Sequence, residues 1–383
     1  MMIKYWWQLP GPAKFISNII ENLRDGKNII LCLPEYSPEG LYTAIYNSLG
    51  ENNEWHWYKL DAGKENYKNS LEIVHFLFLK FAPDTDTYKL RNIKNLINQD
   101  SFCGKLIWVD NLNSTVWPFW KEFLIEYEHA CRNKSLFDRT LFCVPLNGLL
   151  AMNPPKEEVC TAHHVWKNMV SYFDMLLFTL YCFQSKRIKG MEKKLAIAIT
   201  ASIALWDPLV AERLAEKKLE TILEPLSLLQ DIARERGWNN NDCKSEISYW
   251  YKGMIDEIDG EKKIHSAAIA FNDPYKEIER RIWNAEAGII LPFIEECRRK
   301  ILENFSGLLE LPFVTRYGEV INELCGLEIG HIEAQIIKND IKIDSKIKKY
   351  IRILREGRNN ISHFMPIKSE LLINKDGILN IRF

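Results

Sequence analysis

The chain has 383 residues, of which 47% are hydrophobic and 26% charged, and its formal net charge is −1 at pH 7. That length exceeds one ordinary domain and suits two or three, and the composition excludes a chain dominated by disorder. Near-neutrality excludes a protein that coats nucleic acid by bulk charge, so any such contact has to be local.

The first 150 or so residues alternate strands and helices. Asn28–Leu33 reads as a fully buried strand, followed by a Pro/Gly loop and an amphipathic helix over Leu41–Leu49. Trp55–Leu60 reads as a second strand, Ser70–Phe81 and Asp86–Asn98 as helices, and Lys105–Asp110 as a third strand. Trp117–Arg132 reads as a helix and Arg139–Pro145 as a fourth strand. Strands separated by helices imply crossover connections and a mostly parallel sheet.

From about Pro155 helical periodicity takes over, punctuated at Pro208, Pro225 and a Gly237–Asn241 turn. His163-His164 reads as a surface pair at a helix start. A long helix is expected from Pro274 to Phe305, kinked at Pro292, and another from Ser345 to about Met365, stopped by Pro366. The tail, Glu370–Asn374 and Ile378–Phe383 around Lys375-Asp376-Gly377, reads as a β-hairpin. The expected division is 1–154 as an α/β domain, 155–265 as a helical connector and 266–383 as a helical bundle.

Nine scattered cysteines, never paired as C-x-x-C, read as reduced and mostly buried thiols, with neither a disulfide framework nor a zinc site. Met1–Pro10 lacks the apolar core of a signal peptide. The most apolar stretch, Tyr172–Phe183, contains Asp174 and is too short to span a bilayer. A cytoplasmic protein with no membrane contact, no metal and no cofactor is expected. Trp6, Trp7, Trp117 and Trp120 read as core or interface anchors.

The strongest chemical signal is Arg358-Asn359-Asn360-Ile361-Ser362-His363. The apolar stripe of its helix runs Ile347, Ile351, Leu354, Ile361 and Met365, and position 358 fits the gap, so Arg358 is expected on the packed face. Asn359 and His363, four apart, share an adjacent face. RNA carries its own nucleophile in the ribose 2′-OH, so cleaving it needs only proton transfer and phosphate stabilisation. Histidine suits the first and arginine the second. The face bearing Lys342, Lys346, Lys348, Lys349, Arg352 and Arg355 is a solvated helix surface that could also hold RNA locally. The bland alternative is that an arginine and a histidine near a helix C-terminus simply complement its dipole.

The run Leu354–His363 resembles the last helix of HEPN domains, whose signature is R-x4–6-H with a polar residue after the arginine. The resemblance covers roughly the last 110 residues, with only the short motif specific. It implies a helical bundle that dimerises to form a composite, metal-independent ribonuclease site, and roles in bacterial anti-phage systems. By carry-over Arg358 and His363 are catalytic and Asn359 supportive; from the basic face, Lys348, Lys349, Arg352 and Arg355 are the residues expected to hold RNA. The helix from Pro274, with Trp283, Glu286 and Glu295, would be the bundle's first.

In the N-terminal part, Leu33–Tyr42 stands where a phosphate-binding loop would, yet Glu35 occupies the first glycine position and Leu41 and Tyr42 replace the lysine and hydroxyl. Leu106–Asp110 has the form of a Walker B strand, and Asn147 the place of a sensor. This resembles a degenerate P-loop NTPase of the AAA/STAND type, which implies sensing or assembly without ATPase activity. Asp110 is its one candidate nucleotide contact, and a protein partner there is expected. The leading expectation is a toxin-like endoribonuclease effector; the alternatives are a non-catalytic scaffold of a defence complex and a working NTPase.

Overall fold

The computed structural model of the chain describes residues 3–50, 55–83, 91–136, 138–238, 246–273 and 276–382. It divides into two compact units, Met1–Phe178 with Asn241–His265 and Thr179–Asn240 with Ser266–Phe383. Among the described residues no helix is long and apolar enough to cross a membrane.

The first unit is built on a five-stranded sheet of β1 (Asn28–Leu33), β2 (His56–Asp61), β3 (Lys105–Asp110), β4 (Leu141–Asn147) and β5 (Thr161–Val165), in the order β2-β3-β4-β1-β5. Every pairing is parallel, as crossovers through helices require. α1 (Ile3–Trp6) and α2 (Pro10–Arg24) precede β1, and the helices between strands are α3 (Leu41–Leu49), α4 (Ser70–Phe81), α5 (Ile93–Leu96) and α6 (Trp117–Cys131). α7 (Tyr172–Cys182) runs across the division between the units. The helix expected over Asp86–Asn98 begins outside the described residues, and α5 covers part of its second half.

β1 is buried at all six positions, which explains its unbroken apolar run. Ile30 and Cys32 face a core in which Phe78, Trp120, Phe123 and Tyr127 pack with Ile107 and Phe142. The Phe142 ring meets those of Phe123 and Tyr127 edge-on, at 5.5 and 5.0 Å. Trp6, Trp7, Trp117 and Trp120 are all buried, as expected.

β5 corrects the reading of His163-His164. The pair stands on a strand, with Ile30 opposite His163 and Leu31 opposite His164. What starts this strand is a buried carboxylate on α6: Glu128 accepts the Cys160 N–H (3.0 Å) and the Thr161 hydroxyl (2.8 Å). His164 stands 3.2 Å from the Asn22 amide nitrogen, and burial pushes its imidazole down to about 4.

Beyond α7 come α8 (Gly190–Ala204), α9 (Pro208–Ala215), α10 (Leu219–Leu223) and α11 (Leu226–Glu235), all in the second unit. α12 (Glu246–Tyr251) and the antiparallel hairpin β6 (Ile255–Ile258)–β7 (Glu261–Ile264) belong to the first. The stretch expected to be a helical connector thus contributes to both units and includes three strands. The hairpin turn has positive φ at Asp259 (51°) and Gly260 (81°), the pattern an Asp-Gly pair favours.

The rest of the second unit is α13 (Ser266–Ile269), α14 (Glu277–Phe305), a short pair β8 (Phe313–Val314)–β9 (Val320–Ile321), α15 (Ile329–Lys338), α16 (Ser345–Ser362) and α17 (Ser369–Ile373). α14 packs on α8 and α16, and α15 on α16. Pro292 lies inside α14. The tail is not a hairpin: α17 is followed by a 3-10 turn, Ile378–Asn380. Its apolar residues Leu372, Ile378 and Ile381 are buried. Ile378 packs onto α16, so burial rather than strand pairing sets the tail's conformation.

Candidate functional site

α16 starts where the Asp344 carboxylate accepts the Lys346 N–H (2.6 Å), an N-cap in the ordinary sense. Its buried face is Tyr350, Ile351, Leu354, Gly357 and Ile361. The gap in the apolar stripe is therefore filled by Gly357, one residue before the arginine. Positions 357 and 358 both satisfy the spacing from Leu354 and Ile361, and the sequence does not choose between them. The tail chooses: a Cβ on Gly357 would lie 2.6 Å from Ile378 Cδ1, with Ile294 and Ile367 also in contact.

Arg358 is displaced to the flank of that seam, with its side chain 27% exposed. Its Nη2 donates to Glu328 Oε1 at 2.8 Å, and its Nε lies 3.8 Å from Glu295 Oε1. Glu295 also accepts from Arg298 Nε at 2.7 Å. Glu328 caps α15 in a reciprocal capping box with His331. The expectation of an arginine on the packed stripe is thus corrected to an arginine beside it, held by two carboxylates from other elements. Glu328 is the residue that sequence reasoning missed; an acidic residue before a helix start was its one signal.

Asn359 and His363 are both exposed, four residues apart on one face. His363 is the C-cap of α16, and its own N–H returns to Asn359 O at 3.0 Å. Arg358 and His363 are five residues apart, which on a helix turns them ~140° from one another.

The predicted RNA-holding residues separate into two pairs. Lys349 is tied to Asp376 at 2.6 Å. Arg355 lies 2.6 Å from Glu333, close in distance though off the hydrogen-bond angle. Lys348 and Arg352 are exposed and, among the described residues, form no ion pair. They stand at helical spacing with Asn359 and His363, so four polar groups follow one exposed line, interrupted only by Glu356.

The segment that carries His363 is fastened to α14. Trp283 Nε1 donates to Ile361 O at 2.8 Å, and Glu286 Oε2 accepts the Ile367 N–H at 2.7 Å. Between these anchors Phe364 is 74% exposed, has φ of +58° and meets the Trp283 ring at 5.1 Å. A bulky residue in the left-handed region is uncommon and marks a turn whose shape is imposed by its surroundings.

In the first unit, the loop after β1 stands at the carboxyl end of the sheet, where the strand order reverses and open α/β sheets bind ligands. Two of its backbone groups are engaged: the Glu35 N–H donates to Tyr251 O and the Glu39 carbonyl accepts from Trp7 Nε1, both at 2.8 Å. Gly148, at φ +60°, packs against Glu35. Asp110 pairs with Lys59 at 2.7 Å, and that lysine also lies over the Tyr42 ring. A cleft of about 430 Å³ beside α6 is lined by Ile30, Leu124 and Pro154. Its buried carboxylate, Glu128, is satisfied by the start of β5 and points to no ligand.

Among the described residues no cluster of histidine, cysteine and carboxylate side chains could hold a metal ion. The chain matches no protein-family model and no curated protein.

Proposed function

We propose that the second unit is a HEPN-like, metal-independent endoribonuclease and that the chain is a toxin-like effector of bacterial anti-phage defence. The observation that carries this reading is the exposed line of Lys348, Arg352, Asn359 and His363 along α16, with Arg358 beside it at the protein surface. The lysine and the first arginine hold the phosphodiester backbone. The His363 imidazole takes the proton of the ribose 2′-OH or returns one to the leaving 5′-oxygen. The 2′-oxygen attacks phosphorus, the P–O5′ bond breaks, and a guanidinium offsets the charge that builds on the phosphoryl oxygens. This reading takes the site to be assembled from two copies of the chain, with Arg358 and His363 of each facing the other across a homodimer.

The first unit serves this reading as a P-loop-like sensing or docking domain without ATPase activity. Its loop after β1 carries two carboxylates, which repel a triphosphate, and has Leu41 and Tyr42 where a phosphate-binding lysine and hydroxyl would stand.

A second reading, a non-catalytic scaffold, is favoured by one observation: Arg358 is already paired with Glu328 and close to Glu295. The two separate in one experiment. Full-length protein in EDTA cleaves structured and unstructured RNA under the ribonuclease reading, and His363→Ala lowers the rate by about 100-fold or more. No cleavage by the wild type with any added metal or nucleotide favours the scaffold.

A further inference from the structure

We propose that Trp283 and Glu286 are positioning residues for His363, clamping the turn after α16 at both ends. The proposal rests on the ribonuclease reading for its functional meaning, and on contacts within the second unit for its geometry.

Both residues come from α14, three apart and so on one face. Trp283 holds the last turn of α16 through the Ile361 carbonyl; Glu286 holds the chain six residues later through the Ile367 N–H. Between the anchors lie His363, Phe364 and Met365, all exposed. A free helix end would fray, because its last carbonyls have no intrahelical donors. Here the Ile361 carbonyl, which also accepts the Phe364 N–H at 3.1 Å, takes a second hydrogen bond from an indole, and the chain beyond it is pinned by a carboxyl group. The positive φ of Phe364 is held between the two.

Glu286 is an unusual choice for a structural hydrogen bond. Its residue is fully buried, and among the described residues its Oε1 has no hydrogen-bond partner. A carboxylate so placed would be costly, whereas a neutral carboxyl group is tolerable. In keeping with that, burial pushes the group up to about 8, with the Ile367 N–H pulling the other way. Packing alone would be better served there by a leucine or methionine. What the carboxyl group supplies, and they cannot, is an acceptor for Ile367 at the far end of the histidine turn.

The test compares Glu286→Gln, Glu286→Leu and Trp283→Phe in the full chain. The readouts are amide exchange at Ile367, the His363 imidazole resonances and the kinetics of RNA cleavage. Glutamine keeps a neutral acceptor, so it retains slow exchange and a kcat within about 2-fold of wild type. Leucine fills the space without an acceptor; exchange at Ile367 accelerates and kcat falls by about 10- to 100-fold at unchanged KM. Phenylalanine keeps the ring against Phe364 and loses only the donor, so the fall is smaller. A folded leucine variant with wild-type exchange at Ile367, or with unchanged kcat, overturns the proposal. If the wild type cuts no RNA, the ribonuclease reading fails by itself. The clamp is then judged by exchange and by the His363 resonances, which leucine shifts if the turn is held and leaves alone if it is not.

Discussion

The loop after β1 and the turn after α16 are the two places to which the sequence and topology of each unit direct attention, and they are built in opposite ways. In the loop, two backbone groups are occupied, the Glu35 N–H by Tyr251 and the Glu39 carbonyl by Trp7, and at the end of β3 Asp110 is paired with Lys59. In the turn, the backbone is fastened from behind by Trp283 and Glu286 while the side chains of Asn359 and His363 face outward. A motif's residues matter less than the direction in which their unpaired groups are left. Under the proposed function that criterion directs attention to the turn in the second unit.

Substitutions can break this contrast, and the largest effect is expected in the seam behind the turn. Gly357→Leu drives a side chain into Ile378, Ile294 and Ile367, and overpacking of this kind costs about 1–3 kcal/mol or more. Chemical denaturation should show that loss, with the tail displaced from α16. An unchanged midpoint would mean that the tail does not seal the helix.

The next effect is one of pH. The Glu286 carboxyl lies at about 8, above its ordinary 4.5, so the folded chain holds the proton more tightly than the unfolded one. The stability it contributes is full below about pH 4.5 and is lost as pH rises through about 8. Glu286→Gln should flatten that decline in denaturation midpoints measured between pH 5 and about 9. In the first unit His164 has the opposite sign, since its value falls from 6.5 to about 4. Its contribution is lost as pH falls across that interval, opposed from about pH 6 downward by Asp256, which burial raises to about 6.

Smaller still is the release of Arg358. Glu328→Gln weakens a half-exposed ion pair, so stability should change by less than about 1 kcal/mol. RNA affinity should rise a few-fold as the guanidinium becomes available, measured by filter binding at fixed salt. An unchanged or weaker affinity would show that Arg358 does not contact RNA. Smallest of all, Asp110→Ala should leave stability within about 1 kcal/mol and change no nucleotide binding. A nucleotide affinity that Asp110→Ala abolishes would reopen the first unit as a functional site.

The parallel sheet was legible because buried strands between helices leave an unambiguous pattern: β1 and β3, with α3 and α4, fall where periodicity puts them. β5 was not, because two histidines interrupt the apolar run, and the contacts that fix the strand, Glu128 to Cys160 and Thr161 and Asn22 to His164, come from more than thirty and more than a hundred residues away. The Asp259-Gly260 hairpin carried a usable signal that surrounding helical periodicity obscured. At the candidate site, Asn359 and His363 were legible as neighbours by spacing alone. The place of Arg358 was not, since a one-residue choice between 357 and 358 is made by Ile378, in a tail whose conformation local pattern misjudged. Nor could spacing reveal that Glu328 holds the guanidinium from thirty residues upstream.

The central claim is most directly tested by the chemistry of the RNA ends. Full-length protein incubated with a labelled oligoribonucleotide in EDTA should yield 5′-hydroxyl and 2′,3′-cyclic phosphate termini, because the 2′-oxygen is the nucleophile, and His363→Ala should abolish them. Intact RNA, or cleavage that persists unchanged in His363→Ala, would contradict the account.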